Sequence, residues 1–165
     1  MVNVTATAWD VAAATPDPEL PILTIGELGI LRAVDESDGR VTATITPTYS
    51  GCPAMREISA DLEHRLRAAG YREVKIRTQL APPWTSDWIS DAGRRKLAEA
   101  GIAPPSPARG LARPVPLTLG RRPSRRCPRC GSAQTVETAA FGSTACKSLH
   151  RCTACGEPFE AVKSI

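Results

Sequence analysis

The sequence predicts an α+β protein: a small αββαβα domain with a three-stranded sheet, followed by a C-terminal zinc ribbon. Three observations carry this prediction. Between residues 30 and 79 the apolar spacing changes from period two to helical period and back. Six prolines then crowd the stretch 102–126. Finally, five of the six cysteines fall in the last forty residues, four of them in two Cys-x-x-Cys steps.

The elements follow in order. Residues 5–14 (TATAWDVAAA) suit an alanine-rich helix with Trp9 as its large anchor, and the prolines of TPDPELP stop it. ILTIGELGI reads as a helical turn ending at Gly29. ILRAV and VTATITP flank DESDGR, whose Asp-Gly step is a hairpin signal. In the second run Val41, Ala43 and Ile45 alternate with threonines, one face in and one face out. Residues 53–69 change to helical spacing, with Met55, Ile58, Leu62, Leu66 and Ala69 on one side and Gly70 as the C-terminal cap. EVKIRTQ alternates again as a third strand, PPWTSDWIS is an irregular loop, and DAGRRKLAEAG is a short helix stopped at Gly101. The domains expected are therefore 1–101, a Pro/Arg-rich linker over 102–126, and a metal module over 127–165.

Charge is unevenly spread. Residues 1–105 hold 11 Lys/Arg against 14 Asp/Glu, whereas residues 106–165 hold 10 against 3. The basic half suits an acidic protein face, a nucleic acid, or a solvated linker. Only Phe141 and Phe159 offer stacking surfaces there, which ranks nucleic acid last. No apolar run reaches the roughly 18 residues of a membrane span, and the N-terminal stretch lacks a secretory pattern. The expected location is the reducing cytoplasm, where cysteines serve as metal ligands or reactive thiols more than as disulfides.

CPRCGS and CTACGEPF supply Cys127, Cys130, Cys152 and Cys155, four soft donors suited to tetrahedral zinc. A filled set of four points to a structural role. An iron–sulfur cluster on the same thiolates and a dithiol redox pair are the rival readings. Cys146 could replace one ligand, stand as a free thiol or fill core, and His150 is a poorer substitute.

Cys52 stands apart, in TYSGCPAM, between the second strand and the long helix. With Pro53 as the first helical residue, Cys52 would be the N-cap, and the free amides there favour a thiolate. A small buried hydrophobe is the alternative. The two histidines, His64 and His150, pair with no evident nucleophile, and Asp17 and Glu19 in DPEL read as carboxylates or as turn formers. No enzyme active site is visible.

DPELPILTIGELGILR, TPTYSGCPAM, APPWTSDWISDAGRRKLAEAGIAPP and the cysteine-rich tail together resemble the D-type subunit family of the bacterial phenylacetyl-CoA epoxidase system, across nearly the whole chain. The first hundred residues also resemble the SufT-like metal–sulfur cluster biosynthesis family. That resemblance implies cluster handling by Cys52 with Asp17, Pro18, Glu19 and Thr48, and it places Trp84 in a PPW element. It further implies a non-catalytic accessory that helps load iron or a cluster into partner subunits, namely the di-iron oxygenase and the reductase with flavin and a [2Fe–2S] cluster. A transient iron or Fe–S cargo would sit on Cys52, alone or on two such sulfurs across a homodimer. A structural or electron-transfer subunit, and a nucleic-acid-binding zinc ribbon, are the competing expectations.

Overall fold

The computed structural model describes residues 6–49, 51–106 and 125–165. The chain divides into two compact units. The first comprises the described residues of Met1–Trp84 with Trp88–Gly93; the second comprises those of Thr85–Asp87 with Arg94–Ile165. Most of the expected linker, residues 107–124, lies outside the described residues.

In the first unit the element order is α1 (Ala8–Ala13), β1 (Leu31–Ser37), β2 (Arg40–Ile45), α2 (Ala54–Ala68) and β3 (Glu73–Thr78). Thr7 opens α1 through a capping box with Asp10: each side chain accepts the other residue's backbone N–H. The β1–β2 hairpin turns at Asp38 and Gly39, with φ of 50° and 77°. Both are the left-handed values that a two-residue hairpin turn requires. β2 then pairs in parallel with β3, giving the order β1-β2-β3. The connection from β2 to β3 runs through α2, as a parallel crossover requires.

Helix α2 follows from its apolar stripe. Ala54, Ile58, Leu62 and Leu66 are buried, while Gly70 (φ 102°) ends the helix. The stripe differs slightly from expectation, because Met55 is half-buried and Ala69 is exposed. Helices α1 and α2 lie side by side, α1 against β1 and α2 against β3. Beneath them Val41, Ala43 and Ile45 are buried as predicted. Thr44 and Thr46 are buried too, so the second sheet face is not simply solvent-facing at this end. Nearby, the Thr46 N–H donates to the Ile30 carbonyl (2.8 Å), and the Trp84 indole N–H donates to the Leu28 carbonyl (2.9 Å).

Gly29 shows how tightly this region closes. Its φ is +69°, and a Cβ there would lie 2.6 Å from Trp88 Cβ and 2.7 Å from the Trp88 carbonyl oxygen. Arg32 holds the same indole from its face, 3.5 Å from the ring centroid. Gly29→Ala is therefore expected to cost at least about 1–2 kcal/mol from the left-handed backbone alone, with the clash added. Urea denaturation followed by tryptophan fluorescence checks it.

Helix α3 (Asp91–Glu99) carries the chain onward, opened by Ser90 Oγ, which accepts the Gly93 N–H at 3.0 Å. The second unit has one sheet in the order β4-β7-β6-β5, from β4 (Ile102–Ala103), β5 (Thr135–Ala139), β6 (Lys147–Cys152) and β7 (Pro158–Val162). Ile102 and Ala103, assigned from sequence to the linker, pair in parallel with β7. The core of this sheet is small: Ala103, Cys127, Cys152, Phe159 and Ala161. Among the described residues this is little apolar surface for a sheet to hold without further help.

Candidate functional site

The sulfurs of Cys127, Cys130, Cys152 and Cys155 all lie within 4.8 Å of one another. The two knuckles that deliver them share one geometry. After each pair a glycine takes a left-handed φ, 73° at Gly131 and 80° at Gly156. The Gly131 N–H donates to the Cys127 carbonyl and the Gly156 N–H to that of Cys152 (2.8 and 2.9 Å). Likewise Cys127 N–H donates to Ser132 O, and Cys152 N–H to Glu157 O. Cys127 and Cys152 are buried; Cys130 and Cys155 are exposed.

The spacing tests the ligand. Cys127 Sγ is 3.8 Å from Cys155 Sγ, and Cys130 Sγ is 3.6 Å from Cys152 Sγ. Thiolates about 2.3 Å from one tetrahedral zinc stand about 3.8 Å apart. These distances fit a single ion. They are too long for disulfides, which need about 2.05 Å, and too short for a multi-iron cluster in which each thiolate has its own iron.

The clustered sulfurs also act on one another. At Cys130 the Ser132 N–H pulls the thiol down, yet the sulfurs of Cys155, Cys152 and Cys127, with desolvation, push it up to about 12. Cys152 is drawn down to about 7, chiefly by the Cys155 N–H and also by that of Ala154. Four thiolates brought this close together are held by a positive ion among them. Cys146 is outside the cluster; it is half-buried, with its sulfur 3.0 Å from Thr144 Oγ1. His150 is buried against Phe159 in a stacked pair, with Nε2 2.9 Å from Ser148 Oγ. Burial lowers its pKa.

Cys52 is half-buried on the loop from β2 to α2. Its N–H donates to the Tyr49 carbonyl (3.3 Å), and Gly51 beside it has φ of 80°. The helix begins one residue later than expected. Pro53 is the N-cap with helical φ and ψ of −66° and −27°, no side chain caps α2, and Cys52 stands just before the cap. Pro53 already has helical dihedrals, so the difference is a single residue at a helix end, where boundaries are soft. The Cys52 carbonyl, and not its sulfur, accepts an amide of the first turn, that of Met55 at 3.3 Å.

Asp17 is buried, and its Oδ1 accepts the backbone N–H groups of Glu19 (2.9 Å) and Leu20 (2.7 Å). This carboxylate forms the turn. Glu19 and Thr48 are both half-buried. Pro16 and Pro18 line a recess of about 100 Å³ with Glu57, Ile58 and Asp61 of α2, so the Asp-Pro-Glu turn lies against the N-terminal half of the helix that Cys52 precedes. Trp84 is buried as an anchor.

Over 157 residues, 95% of this chain, the sequence is 41% identical to a protein of Escherichia coli (strain K12) described as the D-type subunit of 1,2-phenylacetyl-CoA epoxidase, and it covers 91% of that protein. The chain belongs to the D-type family of phenylacetyl-CoA epoxidase subunits. A family model described as the PaaD zinc beta ribbon domain matches residues 112–163, and one described as iron-sulfur cluster assembly protein matches residues 13–77. The family's ribbon thus contains all four clustered cysteines, and their site is a zinc site. A second relative, an Fe-S protein maturation auxiliary factor of Porphyromonas gingivalis (strain ATCC BAA-308 / W83), is 35% identical over 83 residues, which cover 49% of this chain and 78% of that protein. Among solved structures, a domain of unknown function (DUF59) from Bacillus anthracis superposes with a TM-score of 0.51 at 26% identity, covering 55% of this chain and 87% of that one. Among the described residues no helix is long and apolar enough to cross a membrane.

Proposed function

We propose that this protein is a non-catalytic, cytoplasmic accessory of the phenylacetyl-CoA epoxidase system that assists loading of iron or an iron–sulfur cluster into the oxygenase or reductase subunits. The observation that carries the reading is the placement of Cys52. It is a half-buried thiol on a strand-to-helix loop, inside the stretch matching the iron–sulfur assembly family, in a chain matching an epoxidase subunit along nearly its whole length.

The proposed chemistry is ligand exchange. The Cys52 thiolate donates one lone pair to an iron of the cargo, and the remaining positions are filled by a second copy of the chain or by the receiving subunit. One protein sulfur holds cargo less firmly than four converging thiolates, so the receiver's own ligands displace it without redox change. Asp17 shapes the turn, and Glu19 and Thr48 are assigned to the same cargo-handling step. Residues 1–101 act as the cargo domain and 127–165 as the zinc ribbon, joined by 102–126, whose first two residues add β4 to the ribbon's sheet.

Replacing Cys52 with Ala is expected to leave zinc content and helical circular dichroism unchanged. Iron or [2Fe–2S] content of the oxygenase or reductase purified from the same cells should fall several-fold. Normal metal content in those subunits together with normal ring oxidation overturns the reading. The competing electron-transfer role is decided by elemental analysis of the wild-type chain, since it requires iron in the four-cysteine site.

A further inference from the structure

Although the two zinc knuckles share a backbone, they differ at three equivalent positions, and at two of these the difference is one of charge. The residue before the second cysteine is Arg129 in one knuckle and Ala154 in the other. The residue after the glycine is Ser132 in one and Glu157 in the other. Only one long cation and one long anion are thus available at these positions, on opposite knuckles, and they meet: Arg129 Nη1 forms an ion pair with Glu157 Oε2. The alternative crossing, Ala154 to Ser132, has no charge to offer.

We infer that the Arg129–Glu157 pair is a clasp that retains the zinc by tying the first knuckle to the second. Each partner is fixed close to the metal ligands. Arg129 sits between Cys127 and Cys130 in sequence. The Glu157 backbone carbonyl accepts the Cys152 N–H at 2.8 Å, so its side chain is anchored at the base of the second knuckle. Zinc escapes a four-thiolate site by stepwise detachment of ligands, and the exposed sulfurs of Cys130 and Cys155 are the ones that solvent reaches first. Each of these cysteines has one clasp residue as a near neighbour in sequence. Opening either knuckle far enough to free its sulfur therefore requires the ion pair to break.

The pair is solvent-facing, with 68% and 37% of the two side chains exposed, so its effect is modest and sensitive to salt. Zinc transfer from the full-length protein to a colorimetric chelator, at fixed pH and low ionic strength, reads it directly. Arg129→Gln and Glu157→Gln are each expected to speed release about two- to five-fold, the range for an exposed pair. The double variant should be no faster than either single one, and the exchanged pair R129E/E157R should recover most of the retention. Raising salt should speed release from the wild type and leave the Gln variants nearly unchanged.

A purely local effect of the guanidinium charge on the thiolates makes the opposite forecast for Glu157→Gln. Freed from its carboxylate, Arg129 would then hold the negative site better, and release would slow. Slower or unchanged release from Glu157→Gln, or failure of the exchanged pair to recover retention, overturns the clasp. Arg129→Lys, which keeps the charge and the reach, should retain zinc nearly as the wild type does even if Arg129→Gln folds poorly.

Discussion

Cys152→Ser is expected to yield a chain without stoichiometric zinc, in which the β4–β7 sheet is unfolded. Cys152 is at once a metal ligand, the last residue of β6 and part of the small core with Ala103, Cys127, Phe159 and Ala161. Structural zinc supplies an apparent 10–16 kcal/mol at neutral pH, roughly. No core of five residues replaces that. Metal analysis should give about one zinc per chain for the wild type and almost none for the variant. Amide NMR signals of residues 125–165 should collapse toward random-coil positions. The exposed ligands Cys130 and Cys155 should tolerate serine better than the buried pair. Acid acts in the same direction as the substitution. Zinc holds four thiolates, each of which must shed a proton, so binding releases protons and weakens as pH falls. Metal-linked stability is therefore fully present at alkaline pH and is lost on acidification, as a zinc-loaded sample titrated against a chelator would show.

Leu62→Ala is expected to destabilise the first unit by about 2–5 kcal/mol. Leu62 is fully buried at the middle of the α2 stripe, between Ile58 and Leu66, where α2 lies against both α1 and β3. Neighbours on both elements cannot all relax into the space, so the transfer loss and the cavity add. Such a loss is a large share of the roughly 5–15 kcal/mol that holds a typical domain. Urea denaturation followed by the helical circular dichroism signal measures it, and an effect below about 1 kcal/mol would mean that the helix packs more loosely than its burial implies.

Short-range signals made most of the first unit legible. The Asp-Gly step announced the hairpin because both of its residues adopt left-handed backbone. The α2 stripe announced the helix because four-residue spacing returns a side chain to one face. Long-range partners were less legible. β4 has only two residues and exists through its pairing with β7, far along the chain. Residues 158–162 became a strand because Leu149 and His150 pair with Glu160 and Phe159, a register that no local pattern states.

The zinc ligands were readable from spacing alone, since the two-residue interval places both thiols on one turn. The Arg129–Glu157 pair was not, because nothing links two ordinary charged residues 28 positions apart until the knuckles face each other. At the other sulfur, the Pro53 signal located the helix start to within one residue. That single step decides whether the sulfur or the carbonyl of Cys52 addresses the first amides. Asp17 likewise showed its turn-forming character in DPEL, and the structure realises it through two backbone amides.

The parallel pairing of β2 with β3 also shapes how the molecule comes together. Antiparallel neighbours can zip from a tight bend, but β3 can find its register beside β2 only after the intervening helix has swung across the sheet. Late closure of this kind slows the search for the native state, and it couples the seating of the thiol-bearing loop to the arrival of the final strand. A chain stalled before that step would leave β2, and not β3, as the open sheet margin, so the loop that carries Cys52 acquires its shape only as the edge strand of this sheet is seated.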